Sequence, residues 1–340
     1  MSLDWSKHVI TVENLTKSFR STTGAVVALD GINLDVPTGV IAGVVGAKGS
    51  GKSTLARVLA LRERPDAGVV RLDGLDTGVL DQRSLRAARS RIGVVPAGES
   101  LLPQRTAAGN IALPLEQAGM DGPRRREKVG KLLDLIGLTE RAANYPDQLT
   151  AGQRQRVAVA RALVGEPAVV LADDPTGELD ATGAAGVLAV LDRARAELGA
   201  TVLVVTPDTN VVRRIADDVA VLEHGRILEQ GKLLDLVRDP DSRVARAVLP
   251  SVDSATQGVA DVVLVGFASI GALLPEAASR FDTEITVSGG GVTKIGETPV
   301  ARFRLGMTGG ERVDAALGWL AERGAFVKRA RAGLREVAAA

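Results

Sequence analysis

Two separated clusters could do chemistry in this chain, and together they are suited to an anion and a divalent cation. The first is GAKGSGKST, residues 46–54, which follows the apolar run VIAGVV (40–45) and precedes the helical pattern LARVLALRE. In a strand–loop–helix context, the backbone N–H groups of Gly46, Ala47, Lys48, Gly49, Ser50 and Gly51 can turn inward on phosphate oxygens. Lys52 then reaches the β- and γ-phosphates of a nucleotide, the Ser53 hydroxyl binds Mg²⁺, and Thr54 completes the loop. The helix N-terminus adds a favourable potential for the same anion.

The second cluster is VVLADDPTGELD (169–180). An apolar run ends there on two adjacent carboxylates, Asp173 and Asp174, which resist burial if unpaired. A metal ion would resolve the conflict. Asp173 would hold Mg²⁺ through water opposite Ser53, and Asp174 would face the attacking water beyond the γ-phosphate. Acids in the first turn of a helix are a plainer explanation, because they suit its dipole; Lys52 weighs against it.

A third element lies between them. In LTAGQRQRVAVARAL (149–163), Thr150 can cap a helix whose apolar face is Val157, Val159, Ala160 and Leu163. Thr150, Ala151, Gly152 and Gln153 end twenty residues before Asp173, and Gly177-Glu-Leu-Asp180 follows it. A capped amphipathic helix alone would not require that order.

The elements that must carry these clusters fit a chain of two domains. With 340 residues, the length exceeds one ordinary core. Lys plus Arg number 42 and Asp plus Glu 41, so no global field argues for nucleic acid. There is no cysteine, which excludes disulfides and thiolate metal sites. The N-terminus lacks a signal-peptide pattern. The longest uncharged apolar run, Val262–Pro275, has 14 residues and is too short to span a bilayer. Phe267, Phe281, Phe303, Phe326 and Trp319 all lie beyond residue 260, in a chain with only five Phe and two Trp. That shift predicts a first domain over 1–237, with a helical insert near 105–165, a linker over 238–258, a second domain over 259–332 and a tail over 333–340.

In this order, the glycine loop, the LSGGQ-like LTAGQ, the apolar run with its acids and the turn ending at Asp180 resemble an ABC transporter ATP-binding subunit. ERPDAGVV (63–70), RTAAGNIALPLEQAG (105–119) and DDVAVLEHGRILEQGK (217–232) extend the likeness. It is most similar to the ATPase of a methionine importer with its C-terminal regulatory domain. The resemblance implies an α/β P-loop fold with a helical subdomain. It also implies a head-to-tail dimer, in which each ATP is held by one subunit's loop and by Thr150, Ala151, Gly152 and Gln153 of the other. Phe19, in LTKSFRS, would stack on adenine, although a core residue at a strand end would look the same. Residues 97–122 would dock an integral-membrane permease at the cytoplasmic face of a membrane, with a solute-binding protein as an indirect partner.

Five positions depart from that family pattern. Lys48 replaces a serine, Ala97 the glutamine of the loop after a strand at 92–95, and Ala151 a glycine. Asp174 is one methylene shorter than the usual glutamate, and Pro207 stands at a histidine facing the γ-phosphate. A misplacement of about an ångström can cost on the order of 10²-fold in rate. Glu99 or Gln104 could stand in for the missing glutamine. Thr206 reads as a helix cap and Pro207 as a first helical residue. These departures predict ATP binding with weakened hydrolysis. A homodimer would carry them twice, and a heterodimer with a competent ATPase would escape them. The alternative is a non-hydrolysing regulatory subunit in which ATP only drives dimerisation.

Beyond the linker, the pattern predicts strand 261–267, helix 270–280, strands 283–288 and 299–305, helix 310–323 and strand 325–330. This β-α-β-β-α-β order is that of a ferredoxin-like domain. The resemblance makes it a regulatory domain with an amino-acid ligand; Thr286 stands where the family often has asparagine. A ligand-free dimerisation domain fits equally well. RRR (124–126) reads as a solvated helix face, and His8 and His224 read as structural or surface residues.

Overall fold

The computed structural model of the chain describes residues 8–21, 24–98, 100–252, 259–266 and 271–329. The chain divides into two compact units, Met1–Gln230 and Gly231–Ala340. Among the described residues, no helix is long and apolar enough to cross a membrane.

The strands of the first unit are β1 (His8–Ser21), β2 (Gly24–Pro37), β3 (Ile41–Val45), β4 (Ala67–Leu72), β5 (Leu75–Asp76), β6 (Ile92–Val95), β7 (Val169–Asp173), β8 (Val202–Thr206), β9 (Asp218–Glu223) and β10 (Arg226–Lys232). Its helices are α1 (Lys52–Leu59), α2 (Gln82–Ser90), α3 (Ala107–Gln117), α4 (Gly122–Leu135), α5 (Ala151–Leu163), α6 (Ala181–Leu198) and α7 (Thr209–Ile215). One sheet has the order β2-β1-β4-β5, with antiparallel pairing throughout. The other has the order β10-β9-β3-β8-β7-β6. Its central pairs run parallel, and every residue of β3 and β8 is buried, as expected of strands covered on both faces. Val45 lies opposite Thr206, and Asp173 opposite Val205. The C-terminal ends of β3, β8 and β7 therefore meet at one edge, where open α/β sheets bind ligands.

The helical insert is built from α3, α4 and α5, which share a buried cluster with α6. Thr106, Asp121 and Asp180 cap α3, α4 and α6 through their side chains. Asn110 is fully buried, and its amide ties Leu102, Arg105 and Thr106 to α3. Helix α1 stops earlier than the pattern LARVLALRE suggests. Leu61 adopts a φ of 55°, and its carbonyl accepts from Arg89.

The second unit opens with two short helices, α8 (Leu233–Leu236) and α9 (Arg243–Val248). It continues with β11 (Ala260–Val265), α10 (Leu273–Phe281), β12 (Glu284–Ile295), β13 (Thr298–Thr308), α11 (Glu311–Glu322) and β14 (Ala325–Arg329). The sheet order β12-β13-β11-β14 is antiparallel and ferredoxin-like. The residues expected as a linker include α9, whose Val244, Ala245 and Val248 are buried. The stretch before β11 also touches the sheet. Asp241 pairs with Lys328, Arg238 lies over the Phe326 ring, and Pro240 offers its carbonyl to the buried Arg302. The residues 253–258 and 333–340 lie outside the described residues, as does most of the expected strand-to-helix corner at 267–270.

Candidate nucleotide site

The glycine loop takes its shape from close backbone contacts. Gly51 caps α1 at a φ of 106°, and a Cβ there would sit 2.4 Å from the Ala28 carbonyl oxygen. At Gly46 a Cβ would sit 2.1 Å from the Leu222 carbonyl oxygen. Neither position admits another residue without moving backbone. Ala47, Lys48, Gly49 and Ser53 are exposed, while Ser50 and Thr54 are buried. Lys52 is buried, and its ammonium donates to the carbonyls of Gly46 and Ala47, each at 2.8 Å. Burial lowers its pKa, and Asp174 and Asp173 offset part of that. A cradle of backbone around a buried ammonium is fitted to a polyphosphate, which would supply the charge that the loop carbonyls only partly balance.

Asp173 ends β7. Burial, and then the neighbouring Asp174, push its carboxyl above the ordinary carboxylate range, while Arg57 and Lys52 pull it back. Among the described residues, no group of three or more His, Cys, Asp or Glu is placed to hold a metal. A cation beside Ser53 and Asp173 therefore needs further oxygens from phosphate and water, as Mg²⁺ commonly does.

Asp174 is held more tightly. Its φ is 45°, and its N–H donates to the Val205 carbonyl at 2.7 Å. The Thr206 hydroxyl donates to Asp174 Oδ1 at 3.0 Å. That corrects the reading of Thr206 as a helix cap. Thr206 ends β8 fully buried, and α7 begins at Thr209 with Asp208 as its cap. The Asp208 carboxylate accepts from the Asn210 N–H at 2.8 Å, which leaves the Thr206 hydroxyl for Asp174. Pro207 is exposed between the two.

The α5 N-terminus forms a reciprocal cap. Thr150 Oγ1 accepts from the Gln153 N–H at 3.3 Å, and the Gln153 side chain accepts from the Thr150 N–H at 2.9 Å. Thr150 and Ala151 are exposed and Gly152 is buried. A Cβ on Gly152 would lie 2.8 Å from the Cα of Gly183, so α5 and α6 meet backbone to backbone beside Asp180. The Asp180 carboxylate accepts from the Gly183 N–H at 2.6 Å. A cavity of about 480 Å³ runs from Gly98 and Ser100 past Gln155 to Asp174 and Glu178.

The loop after β6 is held from α5: Gln155 donates to the Pro96 carbonyl, and Arg161 to Ser100. Ala97 and Gln104 are exposed, and Glu99 lies outside the described residues. Phe19 is 37% exposed on β1, with the Lys17 ammonium 5.6 Å from its ring, so it is not a core residue.

Sheet order brings the loop residues, Asp173 and Asp174 to one edge, and the contact with α6 puts Thr150–Gln153 beside Asp180. Sequence reasoning did not place Thr206, Gly177 or Gly183 in the site: it read Thr206 only as a helix cap and Gly177 only as the start of the turn to Asp180. The only trace of Thr206 is a hydroxyl closing the apolar run LVVT, much as Asp173 closes VVLA.

Comparison with known proteins bears on the same residues. The ABC transporter family model matches residues 29–177, and the NIL domain model matches 259–329. The methionine import ATP-binding protein MetN of Thermobifida fusca is 40% identical over 320 residues, covering 94% of this chain and 99% of that protein. Its counterpart from Symbiobacterium thermophilum is 40% identical over 324 residues, covering 93% and 98%. Among solved structures, the dimeric post-hydrolysis state of the ATP-binding cassette MJ0796, bound to ADP and Pi, superposes with a TM-score of 0.60 at 36% identity. It covers 66% of this chain and 98% of that one. The CbiO1 structure from Clostridium perfringens gives 0.62 at 26% identity, covering 71% and 97%.

Proposed function

This chain belongs to the ABC transporter family as one of its ATPases, and from that premise we propose that it powers uptake of methionine or a similar amino acid through a separate membrane subunit. The near end-to-end likeness to methionine import ATP-binding proteins supports the solute. The observation that carries the mechanism is the meeting of the glycine loop, Asp173 and Asp174 at the ends of β3, β8 and β7. Lys52 and the loop amides neutralise the phosphates of ATP. Ser53 and Asp173 would hold Mg²⁺, which when bound would supply positive charge beside the transferring phosphate. Asp174 orients the attacking water and takes its proton. Phe19 lies beneath the adenine.

Thr150, Ala151, Gly152 and Gln153, of which the first two are exposed, serve the nucleotide of a second ATPase subunit, with Asp180 beside them. The working unit is thus a dimer on the cytoplasmic face of a membrane, bound to a permease through the surface around 97–122. The C-terminal domain takes an amino acid as regulator, with Thr286 on its exposed edge strand β12.

Ala97, Ala151, Asp174 and Pro207 weaken hydrolysis more than binding. Steady-state phosphate release at saturating Mg-ATP, with Lys52→Ala as background, tests the reading. Release above that background is expected; release equal to it, in protein that binds ATP, sinks the motor. Restoring both side chains, Ala97→Gln with Pro207→His, should raise turnover by about tenfold with little change in KM. An unchanged rate would mean that these positions do not limit it.

A further inference from the structure

We propose that Thr206 and Gly177 form a clamp that positions the Asp174 carboxylate for its work on water, and that the short acid depends on it. This rests on the reading of Asp174 given above.

Each part of the clamp acts on a different atom. The backbone of Asp174 is pinned to β8 by its N–H bond to Val205, in a left-handed conformation. Its Oδ1 receives the Thr206 hydroxyl at 3.0 Å. That hydroxyl cannot turn elsewhere at no cost. Its oxygen accepts the Asp208 N–H at 3.0 Å while its single proton goes to Asp174, so a rotation would break the bond to the carboxylate. A chain of N–H to hydroxyl to carboxylate is mutually polarised and sits at a fully buried residue. The other oxygen, Oδ2, rests against Gly177, where a Cβ would come within 2.3 Å of it. Gly177 is not in the left-handed region, and the three atoms nearest to a Cβ there all belong to this carboxylate. An aspartate has one fewer rotatable bond than a glutamate and a shorter reach. Its oxygens are useful only where the backbone, Thr206 and Gly177 leave them.

Thr206 is therefore a positioning residue. The test compares full-length wild type with Thr206→Val, Thr206→Ser, Gly177→Ala, Asp174→Ala and the Thr206→Val/Asp174→Ala double variant. In the nucleotide-free protein, Thr206→Val should lower the melting temperature by about 2–4 °C in the wild-type background and by less than half of that beside Asp174→Ala. In turnover, Thr206→Val should lower kcat about tenfold with the KM for ATP unchanged, and Thr206→Ser should recover most of it. Gly177→Ala, at an exposed position, should reproduce the kcat loss even if Thr206→Val fails to fold. Equal melting shifts in the two backgrounds, or wild-type kcat in both Thr206→Val and Gly177→Ala, would overturn the clamp. Wild-type release no higher than that of Lys52→Ala would instead overturn the motor reading, and the clamp with it.

Discussion

The two units each hold a half-buried carboxylate beside a sheet, and they treat it in opposite ways. In the second unit, Asp261 on β11 faces Arg304 on β13 in register, and the guanidinium bonds both oxygens, at 2.8 and 2.9 Å. That charge is answered within the fold. In the first unit, Asp173 and Asp174 stand next to each other. Among the described residues neither has an ion-pair partner, and the nearby Lys52 spends its donors on loop carbonyls. Burial, and then the like charge of Asp174, raise the Asp173 pKa instead. A fold that can build a two-pronged ion pair leaves the acids at the end of β7 without one, answered only by the nearby Arg57 and Lys52 and by the Thr206 hydroxyl. The contrast teaches that their partner is meant to arrive from outside.

If that contrast is functional, the largest effect falls on the open charges. Asp174→Asn should cut phosphate release by about 10²-fold or more while ATP still binds, as measured by phosphate release beside equilibrium nucleotide binding. A loss no larger than twofold would break the comparison. Closing the contrast from the other side, Asp261→Asn removes the carboxylate charge that the Arg304 guanidinium bonds at both oxygens. Scanning calorimetry should show the transition of the second unit falling by about 5 °C or more, with release by the first unit unchanged.

The smallest effect has the most telling sign. The folded state holds the Asp173 proton to a higher pH than the unfolded chain does. Stability therefore falls as pH rises through the window from the ordinary carboxylate range to the raised value, and the penalty is complete above it. Asp173→Asn removes the penalty. The nucleotide-free variant should melt about 2 °C above wild type at neutral pH, with the gain vanishing in acid, where wild type is protonated in both states. A variant that melts lower at neutral pH would show that Asp173 is already compensated.

How far the sequence reached depends on whether a feature is local. The capping of α5 by Thr150 is written in five consecutive residues, and so is the end of an apolar strand on Asp173. The ferredoxin-like order of the second unit follows from strand and helix periods read one segment at a time. What escaped is set by which strands become neighbours. Thr206 touches Asp174 only because β8 lies beside β7, 32 residues away in the chain. Nothing in PVARFRL marks Arg302 as 6% exposed and Arg304 as the partner of Asp261, because alternation along a strand does not say what covers its outer face. The reading of Thr206 as a cap failed for the same reason: a competing bond across the sheet outweighs a local preference.

The meeting of Gly152 and Gly183 makes a lever of two helices. No side chain stands between their backbones, so the two helices touch more closely than any other residue pair would allow there. A push on the loop after β6 enters α5 through Gln155 and Arg161. The same helix meets the start of α6 beside Asp180, from which the turn runs back to Asp174. One continuous run of close contacts thus joins the loop after β6 to the carboxylate at the end of β7.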